Sequence, residues 1–196
     1  LISLGQGLET AVTGQFATLD VDKLIVQNAG TGFGPPGSTA IRKLTDHDLK
    51  LIEHVSGINI VIPRLIRVVQ IDYNKIKRFN YIGSIPEDKE QIEVIVDSLN
   101  VEILQGKFLE LEDKGKVVLG NDFLDDDFEK EIRVGTHLNI QGANFEVIGI
   151  LDKASTFTIN SVVFMLEDDM KELLDIEDEI DIIVVEVSNP DEISEV

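Results

Sequence analysis

Two histidines seven residues apart, His47 and His54, project from one face of a predicted helix, a spacing that can bring two imidazoles toward one metal ion. No third ligand with recognisable spacing accompanies them, so both are expected on the polar side of that helix. His137 stands alone between Gly135 and a strand and reads as a structural turn residue. Asp122, Asp125, Asp126, Asp127 and Glu129 crowd one short stretch, and calcium takes roughly six to eight oxygen ligands. A calcium loop, however, interleaves its acids around a central glycine, whereas these surround Phe123, Leu124 and Phe128. Near a helix N-terminus such acids complement the macrodipole, and only adventitious divalent binding is expected of them. Gly30, Gly32 and Gly34 have the look of a phosphate loop, but Pro35 and Pro36 follow where helix amides would have to face the phosphate, and no lysine supports it. Hydrolytic chemistry has no motif either: there is no G-x-S-x-G elbow, no H-E-x-x-H and no tryptophan to line a sugar site. No residue is therefore assigned as catalytic, cofactor-binding or metal-ligating, and no cofactor is expected.

Charge narrows the partners. With 37 acidic residues against 17 basic ones, the net charge of −20 repels phosphate backbones, so nucleic acid is excluded as a partner. From Glu167 to Val196 there are thirteen acidic residues and one lysine, Lys171. A solvated face is the expected reading of that run, ahead of a cation or basic-partner site. The absence of cysteine excludes disulfides, iron–sulfur ligation and thiol catalysis. No run approaches the about 20 apolar residues that cross a bilayer, so the chain as it stands is expected to be soluble. It opens on Leu1 without a methionine or a signal peptide, and the segment Asn189 to Val196 reads as a helix cut short. Both ends are expected to lie inside a larger protein.

The elements that must position these residues follow from periodicity. Leu1, Leu4, Leu8, Ala11, Val12 and Phe16 have helical spacing, weakened by Gly5, Gly7 and Gly14; Asp20 to Gln27 reads as a strand, and residues 28–37 as a flexible loop. Thr45 is predicted to cap a helix, with Asp48 completing a capping box, Leu44 stapling onto Leu49, and Leu49, Ile52 and Val55 facing inward. Gly57 ends it. Strands are predicted over residues 58–62, 65–73 and 76–85, giving a β-α-β unit with an added hairpin. A second such order is predicted near the end: strand 161–166, helix 168–175 with Met170, Leu173 and Leu174 inward, and strand 180–187. Between them, residues 92–104 carry hydrophobic segments of their own. From Lys116 to Leu151 the pattern is strand (Val117 to Leu119), helix capped by Asn121 with the stripe Leu124, Phe128 and Ile132, and a hairpin turning at Gln141-Gly142. The expected fold is α+β: a base of two β-α-β units, residues 1–83 and 154–196, with a small α/β module, residues 84–153, inserted.

Seven segments, in order along the chain, resemble the extracytoplasmic domains of MacB-like and FtsX-like ABC transporter permeases, the MacB/FtsX/LolC-like family. Leu44-Thr45-Asp46-His47-Asp48 through Val61-Ile62-Pro63 resembles its first segment, Tyr81-Ile82-Gly83 a strand, and Leu104-Gln105-Gly106-Lys107-Phe108 a turn. Val117 to Gly120, Val134-Gly135, Ile140-Gln141-Gly142 and Phe145 to Leu151 complete the series. The resemblance covers nearly the whole chain. It implies a porter-like base and inserted module lying between the first and second transmembrane helices of a permease subunit, outside the cell membrane. It further implies a non-catalytic role: ATP-driven helix motion reaches this domain, which exports a substrate or acts on an extracellular partner. The implied partners are a cytoplasmic ABC ATPase, a second permease protomer, and an unknown cargo or extracellular protein. Two departures stand out: Lys107 replaces the commoner arginine, and the Gly-Pro loop is short. No segment marks a tip for docking an outer-membrane channel. The isolated domain is expected to be monomeric. A ligand- or peptide-binding extracellular module is the alternative, and an unrecognised hydrolase a third reading.

Overall fold

Turn chemistry and alternation account for most of the strands in the computed structural model, which describes residues 23–28, 43–125, 128–155 and 157–188. The predicted helix over residues 1–16, the loop from Ala29 onward, and the last eight residues lie outside that set. The chain divides into two compact units, one from residues 1–64 and 178–196, the other from 65–177.

In the smaller unit, β1 (Lys23–Gln27), α1 (Asp46–Glu53), β2 (Ile58–Arg64) and β10 (Ile182–Val187) build a three-stranded sheet with β10 in the centre and β1 and β2 antiparallel to it. β1 and β2 are thus parallel, as a β-α-β connection requires, with β10 inserted between them. Pro63 is tolerated because β2 is an edge strand of this sheet. The predicted capping box is present: the Asp48 carboxylate accepts from Thr45 N–H and from Thr45 Oγ, both at 2.9 Å. Leu49 and Ile52 pack toward a core of Leu44, Ile180, Ile183, Val185 and Val187. Val55, expected on the buried face, is exposed, because the helix ends at Glu53 and the backbone no longer carries the stripe.

In the larger unit, β3 (Ile66–Tyr73) and β4 (Ile76–Ile85) form a hairpin whose turn residues Asn74 and Lys75 both have positive φ, the primed geometry that suits the right-handed twist of strands. The unit continues with α2 (Lys89–Leu99), β5 (Ile103–Gly106), β6 (Lys116–Leu119), β7 (His137–Ile140), β8 (Ala143–Leu151), α3 (Phe157–Asn160), β9 (Val162–Leu166) and α4 (Glu167–Leu174). The strand order is β5-β8-β6-β9-β4-β3-β7, and β7 pairs again with β8, so six of the seven strands close into a barrel and β5 extends β8 outside it. Alternate residues fill the interior, among them Val69, Ile71, Val117, Leu119, Leu138, Ile140, Phe145, Val147, Val163 and Met165. On β8 the inward series runs Phe145, Val147, then Ile150, because the register against β6 shifts between Val117 and Val118 and inserts one residue.

Strand pairing corrects three expectations. The second β-α-β unit does not form within one base: β9 pairs with β4 and β6 in the barrel, while β10 lies in the other unit's sheet. The hairpin β3–β4, expected in the base, is also barrel wall, so the units divide at residues 64/65 and 177/178, where 83/84 and 153/154 were expected. Asn121 does not cap an α-helix: residues Asn121–Leu124 form one 3-10 turn behind Gly120, and the Asn121 amide donates to the Leu151 carbonyl at 3.2 Å. Phe123, Phe128 and Ile132 are buried all the same. Burial of apolar side chains was legible, and the backbone carrying them was not.

Candidate functional site

The residues considered for metal chemistry are scattered. His47 is exposed on α1, and His54 is the C-cap residue beyond it, its Nδ1–H donating to the Lys50 carbonyl at 2.5 Å. Among the described residues no three acidic, histidine or cysteine side chains gather around a common point. Asp122 lies within the 3-10 turn and Asp125 is its C-cap; Asp126 and Asp127 lie outside the described residues. The glycines at 30, 32 and 34 do as well.

Two motif glycines face one another. Gly106 of β5 pairs with Gly149 of β8. A Cβ on Gly149 would sit 2.1 Å from the Lys107 carbonyl oxygen, and one on Gly106 would sit 2.0 Å from that of Ile148. Lys107 itself is a local anchor. Its Nζ reaches Glu110 at 2.7 Å and Asp113 at 2.8 Å, and Lys116 Nζ meets the other Asp113 oxygen at 2.8 Å. Burial would raise the Asp113 carboxyl, but the bonds from Lys107, Lys116 and the Glu110 N–H outweigh it and hold it at about 2. Asp169 shows the reverse: burial raises its carboxyl against the hydrogen bond from Gly115 N–H. Both groups order the loop from Lys107 to Lys116 and serve the fold.

The open end of the barrel carries a different arrangement. A depression of about 510 Å³ is lined by Tyr73, Lys130, Glu131, Arg133, Thr136 and His137. Tyr73 donates from its hydroxyl to the Glu131 carbonyl at 3.3 Å, meets Phe128 edge to face at 6.1 Å, and carries Lys130 Nζ 5.4 Å above its ring. Arg133 is paired with Glu131, and its N–H donates to Thr136 Oγ at 3.0 Å. Asn74, in the β3–β4 turn, donates to the Phe128 carbonyl at 2.9 Å, which ties the hairpin end to this loop. His137, expected to be a turn residue of structural use only, begins β7 with an exposed ring at the rim. On the outer face of the hairpin, Val68 and Phe79 are 52% and 71% exposed. The depression supplies cations and an aromatic floor, while Val68 and Phe79 belong to the opposite face of the hairpin. Sequence reading passed over Tyr73, Phe79, Lys130 and Arg133. The available signal was that residues 73–80 hold Lys75, Lys77 and Arg78 with no acid, in a chain of net charge −20.

The profile of a family described as the MacB-like periplasmic core domain matches residues 1–196. An uncharacterized ABC transporter permease of Methanocaldococcus jannaschii is 32% identical over 152 residues, which cover 77% of this chain and 36% of that protein. The chain thus spans about a third of the relative's length. In fold it is similar to the extracellular domain of the noncanonic ABC-type transporter YknZ from Gram-positive bacteria, with a TM-score of 0.65, 14% identity, and coverage of 88% and 87% of the two chains. It is likewise similar to the periplasmic region of MacB from Actinobacillus actinomycetemcomitans, with a TM-score of 0.64, 19% identity, and coverage of 91% and 80%. At such identities these two likenesses speak for the fold.

Proposed function

The chain belongs to the family of MacB-like periplasmic core domains, and from that premise we propose that it is the extracytoplasmic domain of an ABC transporter permease and passes ATP-driven helix motion to cargo or to an extracellular protein. One observation carries the reading: the family profile covers residues 1–196. No helix among the described residues is long and apolar enough to cross a membrane, so the spans would belong to the flanking parts of the full protein. The smaller unit takes chain from both sides of the larger one. Helices joined before Leu1 and after Val196 would therefore act on the smaller unit first. The closed barrel of the larger unit, with every wall strand paired on both edges over part of its length, suits a stiff body that moves as a whole. In this reading a cytoplasmic ATPase supplies the work and a second permease protomer completes the machine; neither the domain nor its acids perform chemistry.

Distance measurements test it. In the full-length permease with its ATPase, spin labels at exposed Lys50 of α1 and at exposed Leu104 of β5 should report a distance distribution that changes between nucleotide-free and ATP-trapped states. An unchanged distribution under turnover, or a full-length protein without hydrophobic spans on both sides of the domain, sinks the reading. The depression around Tyr73 favours one second reading, a module that binds a ligand or peptide. Thermal-shift screening of the domain with peptides and lipids separates the two, because a true ligand raises the melting temperature by mass action.

A further inference from the structure

The chain crosses between its two units twice, at residues 64/65 and at 177/178. The first crossing is anchored on both sides. On the smaller unit's side, Pro63 locks its own φ, and Arg64, the last residue of β2, lies in register with Ile182 of β10. The Arg64 carbonyl accepts from the Asp181 N–H at 3.0 Å. Arg64 and Asp181 are both buried, and Lys43 Nζ reaches the Asp181 carboxylate at 2.7 Å. On the larger unit's side, Leu65 belongs to the barrel core. Its N–H donates to the buried Ser84 Oγ at 2.8 Å, and its carbonyl accepts from the Ser84 N–H at 2.9 Å. One planar peptide group thus has its carbonyl held by the smaller unit and its N–H held by the larger, and ψ of Arg64 and φ of Leu65 are the soft torsions on either side of it. The second crossing differs. Ile176 still packs on the barrel core, and Ile180 pairs with Leu44 in the smaller unit. Between them Glu177, Asp178 and Glu179 are exposed, and no hydrogen bond joins Glu177 or Asp178 to another described residue. Three successive acids repel one another, which favours an extended, solvated link.

We propose that the Arg64–Leu65 peptide is the pivot that couples the barrel to the smaller unit, while residues 177–179 follow as slack. Hinges of this kind are a few element-terminal residues that absorb the φ, ψ change. At 64/65 the change is confined to two torsions, so a turn of the smaller unit is passed on with little loss. At 177–179 each residue adds two torsions of its own, and the same turn is absorbed. The ion pair of Lys43 with Asp181 has a place in this device: it fixes the partner of the Arg64 carbonyl, and so keeps the end of β2 seated beside β10 when the joint is under load. The inference rests on the reading of the domain as a transmitter of motion, and it names the link through which that motion passes.

The test uses the full 196-residue chain with spin labels at Lys50 and Leu104, one in each unit, and compares two insertions of a Gly-Gly pair. Placed between Arg64 and Leu65, the pair is expected to broaden the interlabel distance distribution by roughly twofold or more, because glycines add free torsions at the joint. Placed between Glu177 and Asp178, it is expected to leave the width within error. Labels at exposed Phe79 and Leu104, both in the larger unit, should keep their wild-type distance in either variant and so verify that this unit is folded. The proposal is overturned if the second insertion broadens the distribution as much as the first, or if neither does. Amide exchange in the unaltered chain is a second measure that requires no variant to fold. Leu65 and Asp181 should exchange roughly 100-fold more slowly than Glu177 and Asp178, and equal rates overturn the proposal as well. No ATPase enters either measurement, so their failure leaves the distance test above untouched, and an unchanged distance under turnover leaves the pivot standing.

Discussion

Gly149→Ala isolates the close approach of β5 to β8. In the wild-type chain, Gly149 lies opposite Gly106, and the Lys107 N–H donates to the Ile148 carbonyl at 3.1 Å. An added methyl would stand 2.1 Å from the Lys107 carbonyl oxygen, whereas real Cβ contacts stay beyond 3.0 Å. The carbonyl must therefore retreat by at least about 0.9 Å. It is backbone and cannot swing aside as a side chain would. Overpacking of a filled site costs about 1–3 kcal/mol. Loss or distortion of the neighbouring strand hydrogen bond adds about 1 kcal/mol. The sum, about 2–4 kcal/mol, corresponds to a fall in Tm of roughly 5 to 15 °C for a chain of this size. Far-UV circular dichroism is the suitable probe, since the chain has no tryptophan. Gly115→Ala is the control: nothing lies within 4 Å of its Cβ position, but its φ of +73° is the left-handed region, so it should lose only about 1 kcal/mol. A Gly149→Ala protein that melts within experimental error of wild type, or no lower than Gly115→Ala, refutes the assignment of Gly149 to backbone crowding.

Other perturbations probe separate parts of the molecule. Asp48→Ala removes the acceptor of both Thr45 bonds and should cost about 1 kcal/mol in urea denaturation, with little change in m-value. Lys43→Met leaves Asp181, whose side chain is wholly inaccessible and lies 2.7 Å from Lys43 Nζ, without that charge; a loss of about 3 kcal/mol is expected, measured by the same denaturation. Asp113, held at about 2 from an ordinary 3.8, contributes about 2 kcal/mol that is present above the ordinary value and lost as pH falls toward 2. Asp113→Asn should therefore flatten the acid limb of the Tm-against-pH curve, and an unchanged limb contradicts the role of Lys107 and Lys116. Asp169 has the opposite sign: its raised carboxyl favours the protonated folded chain, so it costs stability as pH rises through its folded pKa. The stability of Asp169→Asn relative to wild type should accordingly improve between acidic and neutral pH, and a constant difference contradicts the burial effect.

The capping box at Thr45 and Asp48 was legible because both partners sit within one turn of chain. The β7–β8 hairpin was legible for the same reason, since Gln141 and Gly142 supply the two positive φ values its turn needs. Local patterns also gave the inward residues of α4, where Met170 is buried and Leu173 and Leu174 pack on the core. The seven family-like segments led to the family itself. Elsewhere local pattern failed. Leu124, Phe128 and Ile132 have helical spacing, yet Asn121–Leu124 form only a 3-10 turn, because the hydrophobic stripe is satisfied by any backbone that delivers those side chains to the barrel interior. The motif glycines Gly106 and Gly149 were visible as glycines, while their pairing across two strands was not.

Sequence by itself determined the helices α1 and α4, most of the strands, the turn at Gln141-Gly142 and the family. Tertiary structure alone decided which strands are partners: that β9 joins β4 and β6 while β10 crosses to another sheet, and that β7 meets β8 to close the barrel. It also decided that Lys130 and Arg133 gather around Tyr73. The reason is one of range. Turns, caps and alternation are set by φ, ψ and side-chain spacing within a few residues. An alternating strand, by contrast, buries its apolar face equally well against many partners, and only the burial of the whole assembly selects one.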